Sequence, residues 1–382
     1  MLGRGMGRSY GDSALADQLV STRQLNRLHS FDEQSGLLAC AAGISLAELL
    51  DVFAPRGWFL PVTPGTKFVS IGGAIASDVH GKNHHLHGCF SQCVDSIVLL
   101  LGDGSQVQCS RSERAELFHA SCGGMGLTGL IVAATLRLQR IDSAYIEQTT
   151  YKAANLEEAL ALFETHSACT YSVAWIDCLA SGAALGRSLL MVGEHARDGQ
   201  LVLPAKPKLS VPLDMPSFLL NRFSVQAFNE LYYQRIRVRE SKQRVSYESF
   251  FYPLDGIQQW NRLYGKQGFV QYQFVIPKAA GLQGMRAILE RISASHRGSF
   301  LAVLKTFGAA NDNLLSFPMD GYTLALDFKL EPGLLELLEE LDSMVLAYAG
   351  RLYLAKDARL SEATFKNSPP NWQPFHALRP HY

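Results

Sequence analysis

Three short stretches in the first 130 residues are dense in glycine: GRGMGRSYG (3–11), PGTKFVSIGG (64–73) and GGMGLTG (123–129). Residues without a Cβ are costly inside regular elements and open backbone conformations closed to others. All three are therefore read as loops whose amide N–H groups can approach an anion closely. The first is not a dinucleotide fingerprint. Its G-x-G-x-x-G spacing would need glycine at position 8, which is Arg8, and only Met1 and Leu2 precede Gly3 where a strand should be. A long, bent, doubly phosphorylated cofactor needs donors along its whole length, and several loops can supply these where one cannot.

The rest of the chain bounds the reading. A length of 382 residues allows two domains, and 47% hydrophobic with 18% charged residues describes an ordered globular protein. A net charge of zero leaves no electrostatic footprint for nucleic acid. Seven scattered cysteines without a C-x-x-C pair point to a reducing compartment and no disulfide framework. Cys89 and Cys93 lie near His84, His85 and His87, but no second ligand pair follows, so no metal is expected. No signal peptide or membrane-length apolar run is visible, which gives a cytoplasmic expectation. Residues 201–223, rich in proline and leucine, read as an irregular insertion, or as a mobile flap that covers a greasy substrate or touches a membrane surface.

Periodicity divides the chain. Residues 36–43 read as a strand, Ser45 caps a helix that stops at Gly57, and a strand–GDG–strand unit follows from Val94. Beyond about residue 140, helices at 155–166, 281–296 and 333–349 alternate with strands from Phe269, Phe300 and Tyr322. The fold class is α+β, the second domain being an antiparallel sheet with helices on one face. The tail from Asn367 reads as irregular. Gln271 and Gln273 are two apart in a strand, so both face one side of the sheet, and Thr323, Ala325 and Asp327 share a face in the same way. Asp78, His80, Lys82, Asn83, His84 and His85 crowd eight positions; such a cluster alone is more often a hydrogen-bonded loop than a site.

GRGMGRSYGD, PGTKFVSIGGAIASDVHGKNHH and GGMGLTG, in this order, resemble the FAD-binding domain of flavoproteins of the vanillyl-alcohol oxidase type. The likeness extends through YSVAWID (171–177), WNRLYGKQGFVQYQFVIP (260–277), FLAVLKTFG (300–308), LSFP (315–318) and GRLYLAKDARLSEATF (350–365), and is loose between 179 and 250. Family members carry a small βαβ portion ahead of the counterpart of Gly3 and a short segment past that of Tyr382. The resemblance implies a PCMH-type FAD-binding domain at 1–140 without its N-terminal part. A substrate domain at 141–345 and a C-terminal segment at 346–382 returning to the flavin site would follow.

The resemblance also assigns roles. The first loop (Gly3, Arg4, Gly5, Met6, Gly7, Arg8, Ser9, Tyr10 and Gly11) and the turn of Ser70, Ile71, Gly72 and Gly73 would donate backbone hydrogen bonds to the pyrophosphate and ribityl chain, with Gly65 lining the groove. Ser77, Asp78, Val79 and His80 would run beside the isoalloxazine, Leu130 and Ile131 would meet the adenine end, and Tyr10 and Tyr353 would pack near the flavin. FAD would be held non-covalently, with His80 shaping the sugar pocket. Gln271, Gln273, Lys305, Thr323, Ala325 and Trp175 would line the substrate wall; members often have cysteine in place of Ala325. Lys356, with His80 and Tyr10, would carry catalysis, the rival reading of Lys356 being a surface ion pair with Asp357. The implied reaction is FAD-dependent oxidation of a sugar carbinol, C2′ of a polyprenylphosphoryl pentose, as the first half of an epimerisation. A separate NAD(P)H-dependent reductase would complete it, and peripheral contact with the inner membrane would suit the lipid. The alternatives are a soluble aldonolactone- or alditol-type oxidase, and a flavin-free non-catalytic homologue.

Overall fold

The computed structural model describes residues 2–11, 13–204, 209–216, 218–368 and 371–381. A five-stranded antiparallel sheet organises the N-terminal part: β1 (Leu28–Asp32), β2 (Leu37–Ala41), β3 (Val94–Leu100), β4 (Gln106–Ser110) and β5 (Leu130–Arg137), in the order β1-β2-β5-β3-β4. Helix α1 (Leu46–Phe53) packs beside it, and its ends are written in the sequence. Ser45 Oγ accepts from the Glu48 amide while Glu48 returns a bond to the Ser45 amide, and Gly57 takes the left-handed conformation past the following turn.

The second sheet has eight antiparallel strands. They are β6 (Tyr145–Ala153), β7 (Tyr171–Ile176), β8 (Ser188–His195), β9 (Glu240–Ser246), β10 (Phe269–Pro277), β11 (Ala302–Phe307), β12 (Gly321–Lys329) and β13 (Arg351–Leu352), ordered β9-β6-β8-β7-β11-β12-β10-β13. Alternate residues Phe274, Ile276, Leu304, Leu324 and Leu326 face helices 156–165, 281–295 and 334–347 in one dry core. The opposite face is polar along β10, β11 and β12 and looks toward the first sheet's loops. Tyr171, Phe250, Phe251 and Tyr252 pack into the N-terminal core, so the two halves share apolar contacts.

Three expectations change. Residues 71–76 form a short helix, α2, in place of a loop: Ser70 caps it, and the carbonyls of Ile75 and Ala76 at its end accept from the amides of Gly123 and Met125. The tail is helical at Trp372–Leu378, because Phe375 buries against Ala120 and Leu315. Within the 201–223 segment, Leu209–Ser210 pairs in parallel with Ile257–Gln258 and Asn221 caps helix α3 (Arg222–Gln234); its residues 205–208 and 217 lie outside the described residues, as do tail residues 369–370 and 382.

Asp78 ties the halves together. Its wholly buried carboxylate accepts from Asn311 Nδ2 (2.8 Å), Asn313 Nδ2 (2.7 Å), Ser316 Oγ (2.7 Å) and the Ser91 amide (3.1 Å). Asp78→Ala strands these buried donors, each costing about 1–3 kcal/mol. Chemical denaturation should show a loss of about 3 kcal/mol or more; a change within ~0.5 kcal/mol would contradict the tie.

Candidate active site

Strand register builds one wall of the site. Gln271 pairs with Asp327, Gln273 with Ala325 and Val275 with Thr323, while Lys305 of β11 lies beside Thr323 and Trp175 of β7 beside Val303. Antiparallel partners point to the same side, so these side chains form one surface. Gln273 Nε2 lies 3.0 Å from His80 Nε2 and 3.2 Å from Thr323 Oγ1, whose hydroxyl donates to the Phe274 carbonyl at 2.7 Å. Gln271 Nε2 donates to Asp327 Oδ1. Trp175 is buried, its indole N–H donating to the Phe300 carbonyl and its ring tilted on Tyr232.

The opposite wall comes from the turn after α2. His80 is buried among Phe307, Phe317 and Tyr353, and Tyr353 donates its hydroxyl to the Ser77 carbonyl. His80 Nδ1 has no partner among the described residues. Burial, then the charges of Lys305, His84 and Lys356, hold His80 well below the usual histidine range, so the ring is neutral. Asp78 takes a positive φ of 39°, but its carboxylate is spent on the 311–316 loop and cannot serve a cofactor.

Three lysines converge here. Burial pushes Lys82 and Lys305 down to about 7, each further lowered by a neighbouring lysine. Lys82 donates to the Phe250 carbonyl, whereas Lys305 has no hydrogen-bond acceptor among the described residues. Burial likewise lowers Lys356, opposed by the charge of Asp327. The Lys356 ammonium sits 3.9 Å from the Tyr10 ring centroid, in cation–π contact. Asp357 instead accepts from the amides of Arg359 and Leu360, and the ion pair of the rival reading is not among the contacts of the described residues.

The first glycine stretch reaches across the same opening. Tyr10 donates its amide to the Ala355 carbonyl at 3.2 Å, and Gly11 presses so closely on Asp357 that a Cβ would overlap its carbonyl oxygen. From Gly5 to Ser9 no amide donates to an acceptor among the described residues, and Gly7 has a positive φ of 59°. This arc of free N–H groups fits an anion such as a pyrophosphate. The 70–73 turn does not. The amides of Ile71, Gly72 and Gly73 already donate to Ile44 O, Ala42 O and Ser70 Oγ. Its contribution is clearance: a Cβ on Gly73 would meet only the Ser70 hydroxyl, at 3.2 Å, and one on Gly65 nothing within 4 Å. The backbone of Leu130 and Ile131 is engaged with β3, and the Leu130 side chain packs on Gly3.

Residues 1–110 match the FAD binding domain family. The chain is 38% identical over 379 residues to the decaprenylphosphoryl-beta-D-ribose oxidase of Mycolicibacterium smegmatis, covering 96% of this chain and 82% of that protein. The chain belongs to that oxidase's family, of the vanillyl-alcohol oxidase type. It is an FAD-dependent oxidoreductase with a PCMH-type FAD-binding domain. A Streptomyces coelicolor protein of uncharacterised activity is 31% identical over 88% of the chain and 95% of its own length. The L-gulonolactone oxidase of Bos taurus is 29% identical over 42% of the chain and 36% of its own length.

Sequence reasoning passed over Tyr264. Its hydroxyl is buried without a partner among the described residues, and its ring stacks on Phe269 and Phe300. Lys82 and Asp327 were visible only as members of a cluster and of a strand face.

Gly73→Val should leave the fold intact and abolish FAD retention, because the side chain enters the free space that the bare glycine leaves open. Cys93→Ser, at a buried thiol bonded to the Phe90 carbonyl, should retain FAD. The ratio of flavin to protein absorbance after gel filtration checks both.

Proposed function

We propose that the chain oxidises a carbinol of a sugar carrying a phosphate and a lipid arm, to a ketone. The observation that carries this reading is the wall of Gln271, Gln273 and Thr323 with Lys82, Lys305 and Lys356 around it. Amide and hydroxyl groups suit a polyol, and an excess of cations suits an anion. The relative from Mycolicibacterium smegmatis, whose name specifies a decaprenylphosphoryl ribose, agrees with it. C2′ of a polyprenylphosphoryl pentose is the carbinol we favour. Its 2′-ketone would then be reduced from the opposite face by a separate nicotinamide-dependent reductase.

The free amides of Gly5–Ser9 would hold the FAD pyrophosphate, Gly65 and Gly73 would leave room for the cofactor, and His80 and Tyr353 would lie beside its ring system. Bound there, FAD supplies a hydride acceptor for the carbinol C–H. The remaining work belongs to the side chains. Gln273, fixed by His80 and Thr323, orients sugar hydroxyls. Lys305 offsets the phosphate charge. Lys356 Nζ, in its amine form, takes the proton from the reacting hydroxyl as the C–H bond breaks, and Tyr10 holds the resulting ammonium through its ring face. Tyr264, Phe269 and Phe300 form a stacked aromatic wall that excludes water from this corner.

Among the described residues no helix is long and apolar enough to cross a membrane. Exposed Leu209, Leu213, Phe223 and Leu231 around α3 suit peripheral contact with a bilayer holding the lipid arm. A soluble lactone or alditol oxidase would have no use for them, and flotation with polyprenyl-phosphate vesicles separates the two readings.

Lys356→Ala should keep FAD and its spectrum but slow anaerobic flavin bleaching by a polyprenylphosphoryl pentose about 10²–10⁴-fold. In the wild type the rate should rise with pH, since the working form is the amine; a pH-independent rate within a few-fold in the variant would remove Lys356 from the scheme. Acid or heat should release FAD from the denatured chain, as the reading of His80 as a pocket-lining ring bonded to Gln273 requires. Flavin remaining with the precipitated polypeptide would show a covalent bond instead.

A further inference from the structure

Asp327 has no part in the scheme above, yet its position is unusual. The side chain is wholly buried on the polar face of β12. One oxygen accepts from Gln271, its cross-strand partner, and the backbone amide donates to Ser299 Oγ. The other oxygen has no partner among the described residues. A carboxylate left this way is costly to keep charged unless a cation compensates it. Burial accordingly raises its pKa, while Gln271 and Lys356 lower it.

The groups that face this corner can be named. Tyr10 comes from the glycine arc and Tyr264 from the turn at Trp260–Tyr264; both hydroxyls are made harder to ionise by burial and then by the Asp327 charge. Asp255 also acts on Tyr10. Lys356 comes from the turn at Leu354–Lys356, and Lys305 from β11 opposes a charge on it. His80, across the opening, is neutral. Strand β13 runs antiparallel to β10 and Tyr353 donates its amide to the Gln273 carbonyl, so the Leu354–Lys356 turn runs on toward the end of β10 that carries Gln271, the residue holding Asp327. Asp357 is turned to its own loop, and the Asp327 charge favours the Lys356 ammonium.

We propose that Asp327 is a positioning residue for the oxidation: its buried carboxylate, tethered by Gln271, is the counter-charge that keeps Lys356 over the Tyr10 ring and sets the pH at which Lys356 can take the substrate proton. The proposal rests on the reading of Lys356 as proton acceptor. It gives the β12 carboxylate a task distinct from substrate contact. Removing the negative charge destabilises the ammonium, so Lys356 should lose its proton at lower pH.

The test uses FAD-loaded protein with lysine labelled at 13Cε, the Lys356 resonance being assigned by its loss in Lys356→Ala. In Asp327→Asn the Lys356 titration midpoint should fall by about one unit or more. The acid limb of the anaerobic flavin-reduction profile should move the same way, and Asp327→Glu should restore both. An unmoved midpoint, or a rate lowered by one factor at every pH, would overturn the role and leave Asp327 a structural carboxylate. Should Asp327→Asn fail to fold, Gln271→Leu keeps the carboxylate but removes its tether. It should lower the midpoint by a smaller step, and an unmoved midpoint there is equally fatal. Undiminished reduction in Lys356→Ala would remove the proton-acceptor reading itself, and this role with it. A dead Lys356→Ala beside an unmoved midpoint would overturn the Asp327 role alone.

Discussion

The buried carboxylate of Asp78 is the interaction on which the site depends. It stands in the turn after α2, held in a left-handed backbone conformation, and gathers three side chains from the 311–316 loop of the other half. His80 lies two residues on. Its ring meets Phe307 and Phe317, which flank the same loop, and its Nε2 meets Gln273. Each of these contacts crosses between the halves, so the Asp78 tie, together with the shared apolar core, fixes the spacing of the two walls of the opening. A buried charge is an expensive way to join two surfaces, but it specifies one register where apolar packing tolerates several.

Charge is distributed unevenly around the opening. On top of the cost of burial, Lys305 lowers the proton affinity of Lys82 and Lys356 lowers that of Lys305, and Asp327 compensates only Lys356. The fold tolerates this because the strands and turns that carry these lysines are anchored elsewhere, in the dry core on the far side of the sheet. An anionic ligand would relieve the repulsion that folding leaves behind. Burial first, then the charges of Lys305, His84 and Lys356, keep His80 neutral, which suits a ring that shapes a pocket more than one that carries charge.

Much of this was legible in the sequence. The Ser45–Glu48 capping box and Gly57 marked α1, and the alternation in FVQYQFVIP and YTLALDFKL gave β10 and β12 together with the face that carries Gln271, Gln273, Thr323, Ala325 and Asp327. These are local signals, set within a few residues by hydrogen bonding and side-chain period. Helix α2 was missed because IGGAIA has poor intrinsic helix propensity. It forms because Ser70 supplies the cap and the distant 123–125 loop covers its last carbonyls. The second glycine stretch was read as donating amides for the same reason: sequence shows where side chains are absent, not where the N–H groups point.

The sequence by itself determined the α+β class, the glycine arc at 3–11, the strand faces and, through its motifs, the flavoprotein family. Those properties follow from residue type and spacing along the chain. Tertiary structure decided what each polar group does. It turned Asp357 into its own loop and set Lys356 against Tyr10, from the opposite end of the chain. It closed the amides of 71–73 and left those of Gly5–Ser9 free. It also brought Tyr264 to the aromatic wall and Asp327 within electrostatic reach of Lys356. Partnership and burial are properties of three-dimensional neighbours, and for Lys356, Ile71, Gly72 and Asp327 the decisive neighbours are remote in sequence.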